Sequence, residues 1–169
     1  MKLLRWLVLA LLAFVLCLVV VGVAARFSDG PIGPFPGGPL VSGPLVADAN
    51  VDWSALANVR EVELQLVTPA RSRTTWFLVN EGKAYVPCGF PNAGHIKQWP
   101  HELARDPRVV LRIDGRRYEL QAVKVDDAEE WRTLAQLSAT KYGHGVPTRP
   151  DDVWYFRLEP RAAGAAAAP

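Results

Sequence analysis

In Val59–Thr68 (VREVELQLVT) apolar and polar positions alternate, with Val62, Leu64 and Leu66 on one face and Glu61, Glu63 and Gln65 on the other. A period of two is that of a strand with one face in a core. Thr74–Cys88 (TTWFLVNEGKAYVPC) predicts two more strands that turn at Glu81-Gly82. Arg108–Val125 (RVVLRIDGRRYELQAVKV) predicts another pair, and its Asp114-Gly115 step is the type I′ hairpin signal. A last strand is Val153–Pro160 (VWYFRLEP). Six short antiparallel strands sharing one long face of Val, Leu and Tyr predict a barrel.

Two segments follow a helical period instead. After Asp127, a side chain able to cap a first turn, Trp131, Leu134, Ala135 and Tyr142 recur at helical spacing. Glu130 stands where it would close a capping box, Lys141 lies near the negative end and Gly143 just past it. This stripe reads as core contact. A second, one- or two-turn helix is bounded by Pro100, suited to a first helical position, and Pro107, with Trp99 left outside because a residue before proline disfavours helix.

A third apolar pattern has no period. Trp6–Ala25 (WLVLALLAFVLCLVVVGVAA) carries no charge, and about 20 such residues at 1.5 Å rise cover the roughly 30 Å hydrocarbon core of a bilayer. Lys2 and Arg5 precede it and only Arg26 follows closely. The expectation is a single-pass anchor in the cytoplasmic (inner) membrane with the soluble part extracytoplasmic. A cleavable signal peptide cut near "VAA" is the competing reading, against which the length of the run counts. Beyond it, Ser28–Val46 (SDGPIGPFPGGPLVSGPLV) is dense in glycine and proline. It reads as a tether, either a disordered spacer or a segment laying Ile32, Phe35 and Leu40 in extended form along the domain. The division expected is an anchor at 1–27, a Gly/Pro-rich tether at 28–50, the barrel at 51–160 and a frayed Ala-rich tail at 161–169.

Composition narrows the function. A net charge of +2 and no basic stripe interleaved with aromatics exclude a nucleic-acid reading. Of two cysteines, Cys17 lies in the span, so Cys88 has no partner for a disulfide in the soluble part and reads as a small buried residue. His95, His101 and His144 lack ligand spacing, "HELAR" at His101 lacks the second histidine of a zinc-protease helix, and neither a phosphate-binding nor a nucleophile-elbow motif occurs. Any redox chemistry would have to come from a bound cofactor.

Two places suggest an anion. Lys97 and the start of the Pro100 helix adjoin a loop with Asn92 and Gly94, so a cation and free helical amides would converge. Across the Asp114-Gly115 hairpin Arg112 opposes Arg117, which calls for carboxylates such as Glu119 or Glu61 between them, or for a bound anion.

The strand order and the run KQWPHELARDPRVVLRIDGRRYELQAVKV (Lys97–Val125) resemble the FMN-binding split-barrel proteins related to pyridoxamine 5′-phosphate oxidases, in particular deazaflavin-dependent nitroreductases and quinone reductases. Lys97, Trp99, Leu103, Asp106-Pro107 and Val109–Ile113 carry the resemblance, and SRTTWFLVNEGKAYV is similar to that family's early hairpin. Pro100 and Glu102 depart from its helix pattern. The resemblance, which covers most of Val51–Pro160, implies a mainly β fold, a six-stranded antiparallel split β-barrel with two short helices; the N-terminal transmembrane helix that precedes it rests on the apolar run alone. It further implies a homodimer, and FMN or a deazaflavin as cofactor with a small organic acceptor. The phosphate would be held by Arg73, Lys97 and amides near Trp99 to His101, and the ring would lie along Trp76, Tyr85 or Trp99. The alternative function is a cofactor-free barrel serving as an envelope binding or interaction module.

Overall fold

The computed structural model describes residues 2–46, 51–93 and 97–161. The uncharged run forms one helix, α1 (Lys2–Ala25), which extends the predicted span by four residues at its start. Its 24 residues rise about 36 Å, enough to cross a bilayer core. By length and composition α1 is able to cross a membrane. The tail expected to fray and the tether residues 47–50 lie outside the described residues, apart from Arg161.

Eight strands form one sheet, where six were expected. They are β1 (Leu45–Val46), β2 (Glu61–Leu66), β3 (Arg71–Trp76), β4 (Leu78–Asn80), β5 (Lys83–Gly89), β6 (Arg108–Ile113), β7 (Arg116–Lys124) and β8 (Val153–Pro160). Antiparallel pairing runs β3-β2-β6-β7-β8-β5-β4, and β1 lies parallel to the start of β7. One extra strand arises because the run Thr74–Asn80 is divided at Phe77. There the chain leaves β2 for β5, and the Phe77 carbonyl is taken by Lys141 Nζ at 2.9 Å and faces the Tyr142 hydroxyl at 2.7 Å. Since the end strands β3 and β4 meet at this single residue, the sheet curls round on itself. The strict alternation of β2 puts Val62, Leu64 and Leu66 in the interior beside Val109, Leu111, Leu120 and Phe156. A second cluster joins the outer face, Leu78, Tyr85 and Tyr155, to Trp131, Leu134 and Ala135 of α3 (Ala128–Tyr142).

The helix α3 starts as expected, with the Asp127 carboxylate accepting from the Glu129 and Glu130 amides, and ends at Gly143 with φ 73°. The Glu130 carboxylate, however, is not spent on a capping box. It accepts the Tyr85 hydroxyl at 2.7 Å and the Arg157 guanidinium at 2.9 and 3.0 Å, because the strands carry both groups under that turn. The helix α2 (Trp99–Arg105) includes Trp99, with Pro100 in its first turn and Gln98 as N-cap.

The other extra strand comes from the tether, which is not a spacer over its described length: Leu40 is buried, Gly37 bridges Ser72, and Leu45–Val46 joins β7. Glycine serves close approach here, since a Cβ on Gly37 would collide with the Gly30 carbonyl. One on Gly43, with φ 91°, would collide with the Gly115 carbonyl. The Leu40 amide donates to Gln65 Oε1 at 2.7 Å, which explains why a polar-face residue of β2 is buried.

The same docking resolves the opposed arginines. Arg112 and Arg117 are cross-strand partners, but neither Glu119 nor Glu61 separates them. Arg112 pairs with Glu63 and Asp29, Arg117 donates to the Gly43 and Leu40 carbonyls, and Glu119 goes to Arg161. Both cations are thereby occupied by the tether and β2. Asp29 also accepts from the Val41 and Ser42 amides, and its bond to the Ser42 hydroxyl, with Val41 and Arg112, holds its carboxyl down to about 2. A carboxylate with a depressed folded pKa contributes stability above its unfolded value of about 3.9 and loses it as pH falls through the folded one. The tether should therefore stay docked at neutral pH and loosen between about pH 4 and pH 2. Hydrogen exchange at Val41 and Ser42 across that range checks this, and protection that is flat with pH would contradict it.

Candidate functional site

A cleft of about 810 Å³ opens between β3, the end of β5, the start of α2 and the segment after α3. Its position follows from strand register. Arg73 is the cross-strand partner of Leu64, a fully buried residue, so its side chain is on the interior-facing side of β3. The residue is half-buried, and desolvation lowers its pKa to about 10, opposed by the charge of Glu102. Its guanidinium lies over the Trp99 ring, 5.3 Å from the centroid. Trp99 is itself 5% exposed and belongs to the interior cluster. Arg73 Nε is buried and has no hydrogen-bond partner among the described residues. Such an orphaned donor costs about 1–3 kcal/mol unless something accepts from it.

Three further aromatic side chains, Trp76, Phe90 and His144, stand among Thr, Pro, Gly and Val in the other walls. Trp76, 41% exposed, stacks within 7° of the planes of Tyr142 (centroids 4.1 Å apart) and His144 (5.5 Å). His144 Nδ1 lies 2.7 Å from the Gly145 carbonyl oxygen and Nε2 lies 3.1 Å from Ser138 Oγ, so the ring is held from both sides. Phe90 forms the opposite rim with φ 52° and is 76% exposed. Its amide donates to the Asp152 carbonyl at 2.8 Å, tying the end of β5 to the approach to β8.

Four of the six residues singled out in the sequence, Arg73, Trp76, Lys97 and Trp99, line this one cleft. The other two do not. Tyr85 is 1% exposed on the far side of the sheet, bonded to Glu130, and burial pushes its hydroxyl pKa up. His101 turns away: its Nε2 lies 3.0 Å from the Pro91 carbonyl oxygen and its ring meets Trp154 edge-on at 5.1 Å.

The expected helix-terminus cradle also takes a different form. Pro100 has no N–H, and the His101 and Glu102 amides both donate to the Gln98 carbonyl, so these positions offer no free donor. Lys97 Nζ donates to the Gly89 carbonyl. The remaining loop residues, 94–96, lie outside the described residues. Among the described residues Arg73 Nε is thus the buried side-chain donor of the cleft that lacks a partner. Cys88, 1% exposed, is kept a thiol, its pKa raised by burial to about 11 despite Lys97 and Arg73 nearby.

No family model matches the chain, and no curated protein matches it. Among solved structures it is similar to a pyridoxamine 5′-phosphate oxidase candidate from Listeria innocua, at 15% identity over 66% of this chain and 94% of that one, with a TM-score of 0.49. It is also similar to a conserved hypothetical protein from Mycobacterium tuberculosis (19% identity, 70% and 86% covered, TM-score 0.49). An F420 reductase gives 16% identity, 65% and 93% covered, and a TM-score of 0.45.

Phe90 and His144 are among the cleft residues that sequence reasoning did not place there. A phenylalanine between Gly89, the last residue of β5, and Pro91 was a usable signal, since glycine followed closely by proline marks the end of a strand. His144 gave none, because its place depends on where α3 ends relative to Trp76.

Proposed function

We propose that this chain is a membrane-anchored barrel protein that binds a flavin-type cofactor, FMN or a deazaflavin, in the Arg73 cleft, for hydride or electron transfer to a small organic acceptor. The observation that carries the reading is Arg73, a half-buried cation on the wall of a cleft of flavin-accommodating size beside Trp76, whose Nε has no hydrogen-bond partner among the described residues. The residues fit such a group. Arg73, seated over Trp99, would take its phosphate or another anionic arm, Trp76 would flank its ring system, and Phe90 and His144 would limit water at the mouth. When bound, the cofactor supplies the redox chemistry, and the chain's own groups bind, orient and exclude solvent.

The test is titration of FMN and of a deazaflavin into the full chain in detergent micelles. Wild type should saturate with one of them. Arg73→Met should weaken that binding about tenfold, equivalent to roughly 1.4 kcal/mol. Lys97→Ala should change it less, because its ammonium is already engaged by Gly89. A larger loss at Lys97 than at Arg73 would move the anion subsite, and no saturable binding of either cofactor would leave the interaction module as the function.

A further inference from the structure

We propose that the turn Pro31–Pro36, together with Phe27, is a second membrane contact, an apolar wedge that enters the leaflet where α1 ends and seats the barrel against the bilayer. The proposal rests on α1 being a retained span.

Depth is the first argument. A Cβ added to Gly22 would stand 3.3 Å from the Phe35 ring, so the turn packs alongside α1. Gly22 lies three residues before the end of α1, about 4.5 Å back along its axis. The ring therefore sits level with the last turn of the span, not beyond it. Phe35 and Pro36 share a crevice with Val15, Leu18 and Val19, deeper still in the helix.

Chemistry is the second. Ile32 and Phe35 exchange hydrogen bonds in both directions, N to O at 3.1 and 3.0 Å, so the two arms of the turn pair their polar groups with each other, and Pro31, Pro34 and Pro36 bring no N–H to the segment. A segment at the hydrocarbon boundary must do this, because no water is there to do it. Phe27 is 84% exposed and Ile32 44%, leaving their apolar surface uncovered by the protein. Residues 30–46 contain no charge. Arg26 and Arg71 border the same crevice, placed to extend guanidinium groups toward lipid phosphates.

Rigidity is the third. Ser28 Oγ lies 2.6 Å from both the Ala25 and Gly30 carbonyl oxygens, Gly37 bridges Ser72 of β3, and Asp29 is held by Arg112 of β6. The wedge is thus fixed to the helix on one side and to the barrel on the other. A disordered leash would let the barrel swing, whereas this arrangement gives it one orientation on the membrane.

The experiment uses the full chain with Cys88→Ala, spin-labelled in detergent and reconstituted into phosphatidylcholine–phosphatidylglycerol vesicles. One sample carries the label on the native, exposed Cys17 within the span. Others carry Cys17→Ser with Ile32→Cys, Phe27→Cys, or Arg132→Cys on the exposed face of α3. Collision with oxygen and with an aqueous nickel chelate is read at each. Labels at 32 and 27 should follow Cys17, with nickel collision on the order of tenfold below that at position 132. If Cys17 is shielded while both 27 and 32 are as open to nickel as 132, the wedge is overturned and the anchor stands. If Cys17 itself is open to nickel, the anchor reading fails and the wedge with it.

Discussion

Replacing Arg112 by alanine should cost the protein about 2–3 kcal/mol and release the segment from Asp29 to Val46, because one guanidinium joins three parts of the chain by charge-assisted bonds. It bonds Glu63 on β2, the Asp29 carboxylate and carbonyl, and the Ser42 hydroxyl, and its side chain is only 12% exposed. Both carboxylate partners are about one-third exposed, at 31%. Solvent screening therefore keeps the cost below that of breaking a fully buried pair. Chemical unfolding of the full chain in detergent gives the stability change. Limited proteolysis should show new cleavage within the released segment, and Arg112→Lys should recover only part of the loss, since an ammonium lacks the fork that reaches all partners. A stability change below about 0.5 kcal/mol with no new cleavage would mean that Gly37, Leu40 and β1 hold the segment without the latch.

That segment also shows where reading from sequence stops. The alternation in Glu61–Leu66 and the Asp114-Gly115 turn specify their strands locally, because period and turn chemistry are properties of neighbouring residues. Glycine and proline in Ser28–Val46 were ambiguous. Composition reports freedom of the backbone, but not whether another segment approaches close enough to require it, as the Gly30 carbonyl does at Gly37. The division at Phe77 was hidden for a similar reason, since it depends on Lys141 and Tyr142 arriving from far along the chain.

The candidate site was legible to a similar depth. Arg73, Trp76, Lys97 and Trp99 do come together, yet only the pairing register of Arg73 with Leu64 shows that this arginine is on the interior-facing side. Whether Lys97 was available could not be read either, because its partner, the Gly89 carbonyl, carries no side-chain signal. Tyr85 faced the wrong side of the sheet for the same reason of register: it pairs with Arg157, whose guanidinium meets Glu130 under α3. Backbone acceptors and strand facing are set by tertiary pairing, and residue types alone do not encode them.

The wall of the cleft depends on a group outside it, and Lys141→Met should show this with a loss of about 2–4 kcal/mol, since a single ammonium donates to three backbone carbonyls. Lys141 Nζ bonds Ala57 O at 2.7 Å, Val59 O at 2.6 Å and Phe77 O at 2.9 Å. Burial lowers its pKa, with Arg60 adding to the effect, so the charge is held at some cost and its donors are fully used. Methionine would keep the aliphatic stem but strand the Ala57 and Val59 carbonyls and leave the Phe77 carbonyl only the Tyr142 hydroxyl. The break between β3 and β4 would then lose a fastening point. Next to it, Tyr142 supports the stacked Trp76, so the aromatic wall should loosen even though Lys141 lines no part of the cleft. Unfolding midpoints measure the stability term, and Trp76→Phe in the wild-type and Lys141→Met backgrounds separates the two effects. If the wall is coupled to the fastening, the double variant should lose less than the sum of the single losses. Strict additivity would show that Lys141 stabilises the fold without positioning Trp76.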